Sequence, residues 1–267
     1  MTFFKLECYK LWRNRAFWLI NIIIFILFLF VMTMNYLAEK RYFESSRVTV
    51  EIEDVATIDP LSGSKLLIEA IYGPDVFMII FLISFLGAFF LTRDYDVGTM
   101  KNVVSMGHER WKIYLMKNIV LMIGTLFFVV SFIIAPVLFG SLYYGFGDLI
   151  DQEMFINLTK TIAISLMYYM AIAAIIALLS LISNNPGVTT ALTLGIFFVW
   201  NTGLSYLSGK HELFENIGRF SILHQFPTIG ERVFNKESLL FLIGLPIGTT
   251  IIVIIFGMLL FQRREIK

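Results

Sequence analysis

Six long apolar runs dominate this sequence and leave little choice of fold. They read Phe17 to Leu37, Val76 to Leu91, Asn118 to Gly147, Lys160 to Ile182, Val188 to Leu207 and Leu239 to Phe261. About 20 such residues at ~1.5 Å each cross the ~30 Å hydrocarbon layer of a bilayer. Backbone N–H and C=O groups find no water there, so each run must satisfy its own hydrogen bonds as an α-helix. The composition agrees: 15% of residues are charged, against roughly 25% in soluble domains. The second run is short and predicts an earlier start or locally thinned lipid. Pro136 and Pro246 each delete one helix hydrogen bond, which neighbouring helices in a bundle can absorb. The first run is long enough to span, so it predicts an anchor and not a cleavable leader. The expectation is an all-α integral membrane protein with six transmembrane helices, a single transmembrane domain over residues 1–267.

The segments between the runs differ in kind. Residues 1–15 alternate Phe3, Phe4, Leu6, Tyr9, Leu11 and Trp12 with Lys5, Lys10, Arg13 and Arg15. That pattern predicts an amphipathic helix in the membrane interface, rings toward acyl chains and cations toward phosphates; a solvated basic leader is the alternative. Residues 38–75 form a polar segment large enough for a small cap, with strand-like alternation over Arg47 to Asp54. Ser183 to Gly187 is a tight reversal. In the loop 208–238, Ile217 to Gly230 is half apolar, too short and interrupted to span, and is expected to dip into the membrane and return.

Charge orients the bundle. The side carrying both termini holds twelve basic residues and five acids, whereas the opposite loops hold eight basic residues and fifteen acids. The positive-inside rule therefore places the N- and C-termini, and the loop 93–117, in the cytoplasm.

What the runs lack narrows the function. None contains Asp, Glu, Lys, Arg or His in its interior, which argues against proton-coupled carriers and voltage sensors, both of which need an intramembrane charge. No His-Glu-x-x-His and no phosphate-binding Gly-x-x-x-x-Gly-Lys-Ser/Thr occurs. The single cysteine, Cys8, permits no intramolecular disulfide. His108, His211 and His224 are scattered over loops and predict no metal site. The 27 phenylalanines and twelve methionines fill bundle gaps and face lipid; they would also suit greasy, variable cargo.

The loop 93–117 is the most patterned charged stretch. Thr92 or Asp94 can cap a helix after it, and Thr99 to Met106 reads as a short amphipathic helix with Met100, Val103 and Val104 on one face. Gly107 breaks it, and a second helix starts near Glu109. On these grounds alone the loop is a stiff double elbow at the membrane surface, or simply a topology-fixing anchor.

The spacing of Phe89, Asp94, Gly98-Thr99, Lys101-Asn102, Gly107, Arg110, Ile113-Tyr114 and Lys117 resembles that of type-2 ATP-binding-cassette (ABC) exporter permeases. So do the basic N-terminal segment ending in Lys10-Leu-Trp-Arg13 and the final Phe261-x2-Arg264-Glu-Ile266. The resemblance implies a short coupling helix between spans two and three, seated in a separate ATPase. Arg93, Asp94, Gly98, Thr99, Met100, Lys101, Val103, Val104, Gly107 and Arg110 are the coupling residues it implies. Asp94 with Arg93 would pin the loop to its own bundle, and Lys101 with Arg110 would pair acids of the ATPase. It further implies a pair of ABC ATPase subunits that bind ATP and Mg, a second permease copy or paralogue, and lipid around the bundle. No cofactor, catalytic residue, metal or nucleic-acid partner is expected of this chain. The expected setting is a bacterial plasma membrane. The expected cargo is hydrophobic or amphipathic, first a membrane-active peptide such as a bacteriocin or toxin peptide, with a role in antibiotic resistance or immunity. A non-transporting scaffold or sensor that docks a partner through the same loop is the alternative from another class.

Overall fold

The computed structural model describes residues 3–46, 62–72, 76–96, 103, 107, 109–145, 152–208, 212–229 and 236–263. Among them no strand occurs. The helices are α1 (Phe3–Trp12), α2 (Arg15–Ser46), α3 (Gly63–Tyr72), α4 (Val76–Asp96), α5 (Arg110–Tyr144), α6 (Gln152–Ser183), α7 (Pro186–Ser208), α8 (Glu212–Arg219), α9 (Phe226–Ile229) and α10 (Lys236–Arg263).

Every apolar run becomes a helix. Among the described residues five stretches are long and apolar enough to cross a membrane: Phe17–Ala38, Arg110–Tyr144, Phe155–Ser183, Pro186–Leu204 and Leu239–Arg263. The second run is the exception, since its apolar part, Phe77–Arg93, is shorter. Helix ends overshoot the apolar runs. α2 continues past Leu37 through Ala38-Glu-Lys-Arg41 to Ser46, because these residues are good helix formers and keep the backbone ladder intact in water. The strand-like stretch Arg47 to Asp54 lies outside the described residues. Within 38–75 the described cap is α3, whose Gly63 N–H donates to the Gly145 carbonyl at 3.0 Å. Ser62, Ser64 and Leu66 are buried there, where α3 packs against α5.

α6 is the centre of the bundle and packs against α4, α5, α7 and α10. Its Ala171, Ala173, Ala174 and Ala177 are buried, small residues on more than one side of the helix that let neighbours approach closely. One approach is set from the other side: a Cβ on Gly87 of α4 would lie 2.7 Å from Ile176 Cγ2. α2, α7 and α10 flank this core, to which they give Phe17, Phe197 and Leu242, and leave most of their apolar windows uncovered. Hydroxyls on the spans bond back to the carbonyl one turn earlier, as Thr125 does to Leu121 at 3.0 Å and Thr250 to Pro246 at 2.7 Å, which satisfies these donors within hydrocarbon.

α1 and α2 both climb α5 in the same direction. Glu7 meets Lys117, Leu11 lies against Gly124, Phe17 stacks on Phe128, and Thr33 bonds Tyr143. The half-apolar stretch after α8 turns back into the bundle. Ile222, Leu223, Phe226 and Ile229 join the main core, and the Phe226 ring sits 5.7 Å from Tyr168 and 5.1 Å from Tyr169 of α6. Its polar residues are held locally: Trp200 Nε1 donates to Ser221 Oγ at 2.9 Å, and Gln225 Nε2 to the Arg219 carbonyl at 2.7 Å.

Candidate functional site

The loop between α4 and α5 is shorter than its sequence suggests. α4 stays helical through Asp96, so Arg93 and Asp94 lie in its last turn, with Arg93 exposed and Thr92 buried. Thr92 Oγ1 donates to the Ala88 carbonyl at 2.7 Å, so it bonds back into α4 and does not cap the next helix. Gly98, Thr99, Met100, Lys101 and Val104 lie outside the described residues, as does the rest of the expected Thr99 to Met106 helix apart from Val103. Val103 is helical and half-buried. It packs against Ile113, Tyr114, Leu181 and Phe261, a satellite core formed by α5, α6 and α10. Gly107 is exposed with φ +83°. A Cβ there would meet nothing, so the left-handed backbone and not crowding demands glycine.

α5 starts immediately after. Its N-cap position is Glu109, in extended conformation, whose carbonyl accepts from the N–H of Lys112 and Ile113 at 3.0 and 3.2 Å. The Glu109 carboxylate accepts from Lys112 Nζ at 2.9 Å. That bond, with a second from Trp111, holds the carboxyl below its ordinary range. Arg110 Nη1 donates to the Gln262 carbonyl at 3.3 Å, a cation placed at the last described turn of α10, where it complements the helix dipole. One turn on, Tyr114 stacks on Phe261 with centroids 6.1 Å apart. The close approach needs Gly257, because a Cβ there would sit 2.1 Å from Tyr114 Oη.

The next turn carries a buried charge that the sequence does not announce. The third apolar run is expected to begin at Asn118, yet Lys117 lies inside α5 and is 4% exposed. Its Nζ donates to Glu7 Oε2 at 3.2 Å, and Glu7 is itself fully buried. Lys10 Nζ donates to the other oxygen, Oε1, at 2.9 Å, and Lys117 Nζ also lies 5.5 Å from the centre of the Phe90 ring of α4. Cys8, next to Glu7, is half-buried; burial first, and the Glu7 charge after it, raise its thiol above the ordinary value. The signal available in the sequence is Glu7 itself, the lone acid in the first 38 residues.

The first two turns of α5 thus join α1, α4, α6 and α10 at the end of the bundle that bears the loop. The α6–α7 reversal is at this end too, since Leu181 contributes to the satellite core. There Asn185 Oδ1 accepts from the N–H of Gly187 and Val188 at 2.9 and 3.2 Å, capping α7, and Asn184 takes φ +52°. Among the described residues no cluster of His, Cys, Asp or Glu could hold a metal.

A family model described as ABC-2 family transporter protein matches residues 3–200, from α1 into α7. The chain belongs to this family. ABC-2 permeases are integral membrane components of transporters and are not themselves catalytic. They generally work with an ABC ATPase. No curated protein matches the chain. A lateral groove of about 450 Å³ runs between α2 and α5 of this permease. It is lined by Trp18, Phe25, Ile26, Phe127 and Ile134 with Asn21 and Ser131 as its polar residues.

Proposed function

We propose that this permease is the membrane subunit of an ATP-driven exporter in a bacterial plasma membrane. Six crossings would place both termini and the loop 97–109 in the cytoplasm, where two ATPase subunits bind ATP and Mg. A second permease copy or paralogue would complete the pathway. One observation carries the reading: Val103, inside the loop, packs on a core built from α5, α6 and α10. A coupling segment has to grip both the bundle and its ATPase. Val103 supplies the first grip on the face it would share with Met100 and Val104, and Lys101, on the opposite side of such a helix, would supply the second as a cation for acids of the ATPase. Asp94 with Arg93, at the end of α4, would set the angle at which the loop leaves the bundle. The cargo would be hydrophobic or amphipathic, first a membrane-active peptide. The groove between α2 and α5, with its aromatic walls and two polar residues, suits such a molecule better than a hydrophilic one.

The test is co-purification and stimulated hydrolysis with a phosphate-loop ATPase encoded beside this chain. Lys101→Glu is expected to weaken ATPase association at least tenfold while the permease stays folded. Val103→Asp is expected to keep the association but to separate hydrolysis from export. If neither substitution changes association, hydrolysis or export, the coupling role fails. If no ATPase associates with the wild-type chain, a scaffold or sensor replaces the exporter.

A further inference from the structure

The buried Glu7–Lys117 pair has no place in the coupling scheme. Buried charges are costly and persist only when paired. Here the carboxylate is held at both oxygens, by Lys117 of α5 on the inner side at 3.2 Å and by Lys10 of its own helix on the outer side at 2.9 Å. Lys10 is a third exposed, whereas Lys117 is 4% exposed. The two bonds are therefore unequal in kind. The Lys10 bond is internal to α1 and survives wherever α1 goes; the Lys117 bond exists only while α1 lies against α5. Leu11, 1% exposed, continues the same seam one turn later against Gly124.

α5 begins just after the loop, and Lys117 stands two turns from its start. We propose that Glu7 and Lys117 form a clamp that makes α1 and the foot of α5 move as one body, with Lys10 as the counter-ion that lets Glu7 leave when the clamp opens. Any displacement of the loop would then reach α1 directly, and through the α1–α2 joint at Arg13 and Asn14 the first span. Glu7 and Lys117 are positioning residues in this scheme, and the scheme's transport consequence rests on the exporter reading.

The chain supplies its own probe, since Cys8 is its single cysteine and sits on the clamped helix. Alkylation of the full chain in detergent micelles by a maleimide is followed for the wild type, Lys117→Met and Lys117→Arg. All three keep Glu7. Loss of the Lys117 cation and the protonation of Glu7 that it favours shift the thiol pKa in opposite directions, so each rate is taken from its full pH dependence, whose plateau, where the thiol is fully ionised, reports exposure. Lys117→Met is expected to label about tenfold faster or more, and Lys117→Arg at the wild-type rate. Equal rates in Lys117→Met and wild type would overturn the clamp. Should Lys117→Met fail to fold, hydrogen exchange of the wild type decides. Amides of residues 6–12 are expected to exchange as slowly as those of 112–118, and exchange a hundredfold faster in α1 would overturn the clamp. With the ATPase present, Lys117→Met is expected to hydrolyse ATP at the wild-type rate and lose at least nine-tenths of export. A labelling change with no associating ATPase would remove the exporter reading and leave the clamp standing.

Discussion

Gly257 shows how one missing side chain can hold two helices together. Its Cβ position lies 2.1 Å from Tyr114 Oη and 2.4 Å from Cζ, so the ring itself as well as the hydroxyl occupies the space. Gly257→Ala should destabilise the fold by about 1–3 kcal/mol, the usual cost of overpacking, and Tyr114→Ala should lose part of its own cost in that background. Gly248 is the control on the same helix: a Cβ there meets nothing within 4 Å. Gly248→Ala should be neutral or stabilising by up to ~1 kcal/mol, from helix propensity alone. Thermal unfolding of the two glycine variants, Tyr114→Ala and the Gly257→Ala/Tyr114→Ala pair in detergent checks these values, and equal shifts for the two glycines would refute the packing account. Neither role is legible in the sequence, because a glycine in an apolar run reads the same whether it faces lipid or a ring. Tyr114 and Phe261 are both visible as members of the family spacing, but the contact between them belongs to tertiary packing.

Helices are legible in proportion to their length. Each apolar run becomes a helix because the run alone decides how its backbone is satisfied. Amphipathic and polar elements are harder. The alternating rings and cations of α1 predict a helix, but Glu7 reads as one more solvated charge, since the partner that buries it stands 110 residues away. α3 is hidden in a polar segment, and its reason for folding, a seat on the end of α5, is not local. The stretch 217–230 reads as half apolar, and Ile222, Leu223, Phe226 and Ile229 within it join the core beside α6. Phe226 is its anchor, 6% exposed and placed against both tyrosines. Phe226→Ala should cost about 3–5 kcal/mol, as for other buried aromatic truncations. Trp200→Phe, which removes the hydrogen bond to Ser221 and keeps an aromatic ring, should cost about 1 kcal/mol. A thermal shift for Phe226→Ala no larger than for Trp200→Phe would mean that the stretch is not anchored through its ring.

At the scale of the whole molecule, the count of crossings depends on which helix ends meet. Arg110 bonds the carbonyl of Gln262, and Lys117 bonds Glu7, so the first helix and the last turn of α10 both lie at the foot of α5. Two chain ends on one side require an even number of crossings. Among the described residues five helices pass on length and apolarity, and Phe77–Arg93 does not. α4 as a whole has 21 residues, about 31 Å at 1.5 Å per residue, enough for a bilayer of ordinary thickness. Its last turn would then carry Arg93 to the lipid boundary, where a cation can reach phosphate. The prediction is six crossings. In sealed vesicles of one orientation, Cys8 of the wild type and a cysteine at position 267 in a Cys8→Ser background should be blocked by the same impermeant maleimide from the same side. Lys65→Cys in that background should be blocked from the other. Labelling of positions 8 and 267 from opposite sides would leave α4 outside the set of crossings. It would also break the link between the basic ends of the chain and a single cytoplasmic face, on which the coupling role of residues 97–109 depends.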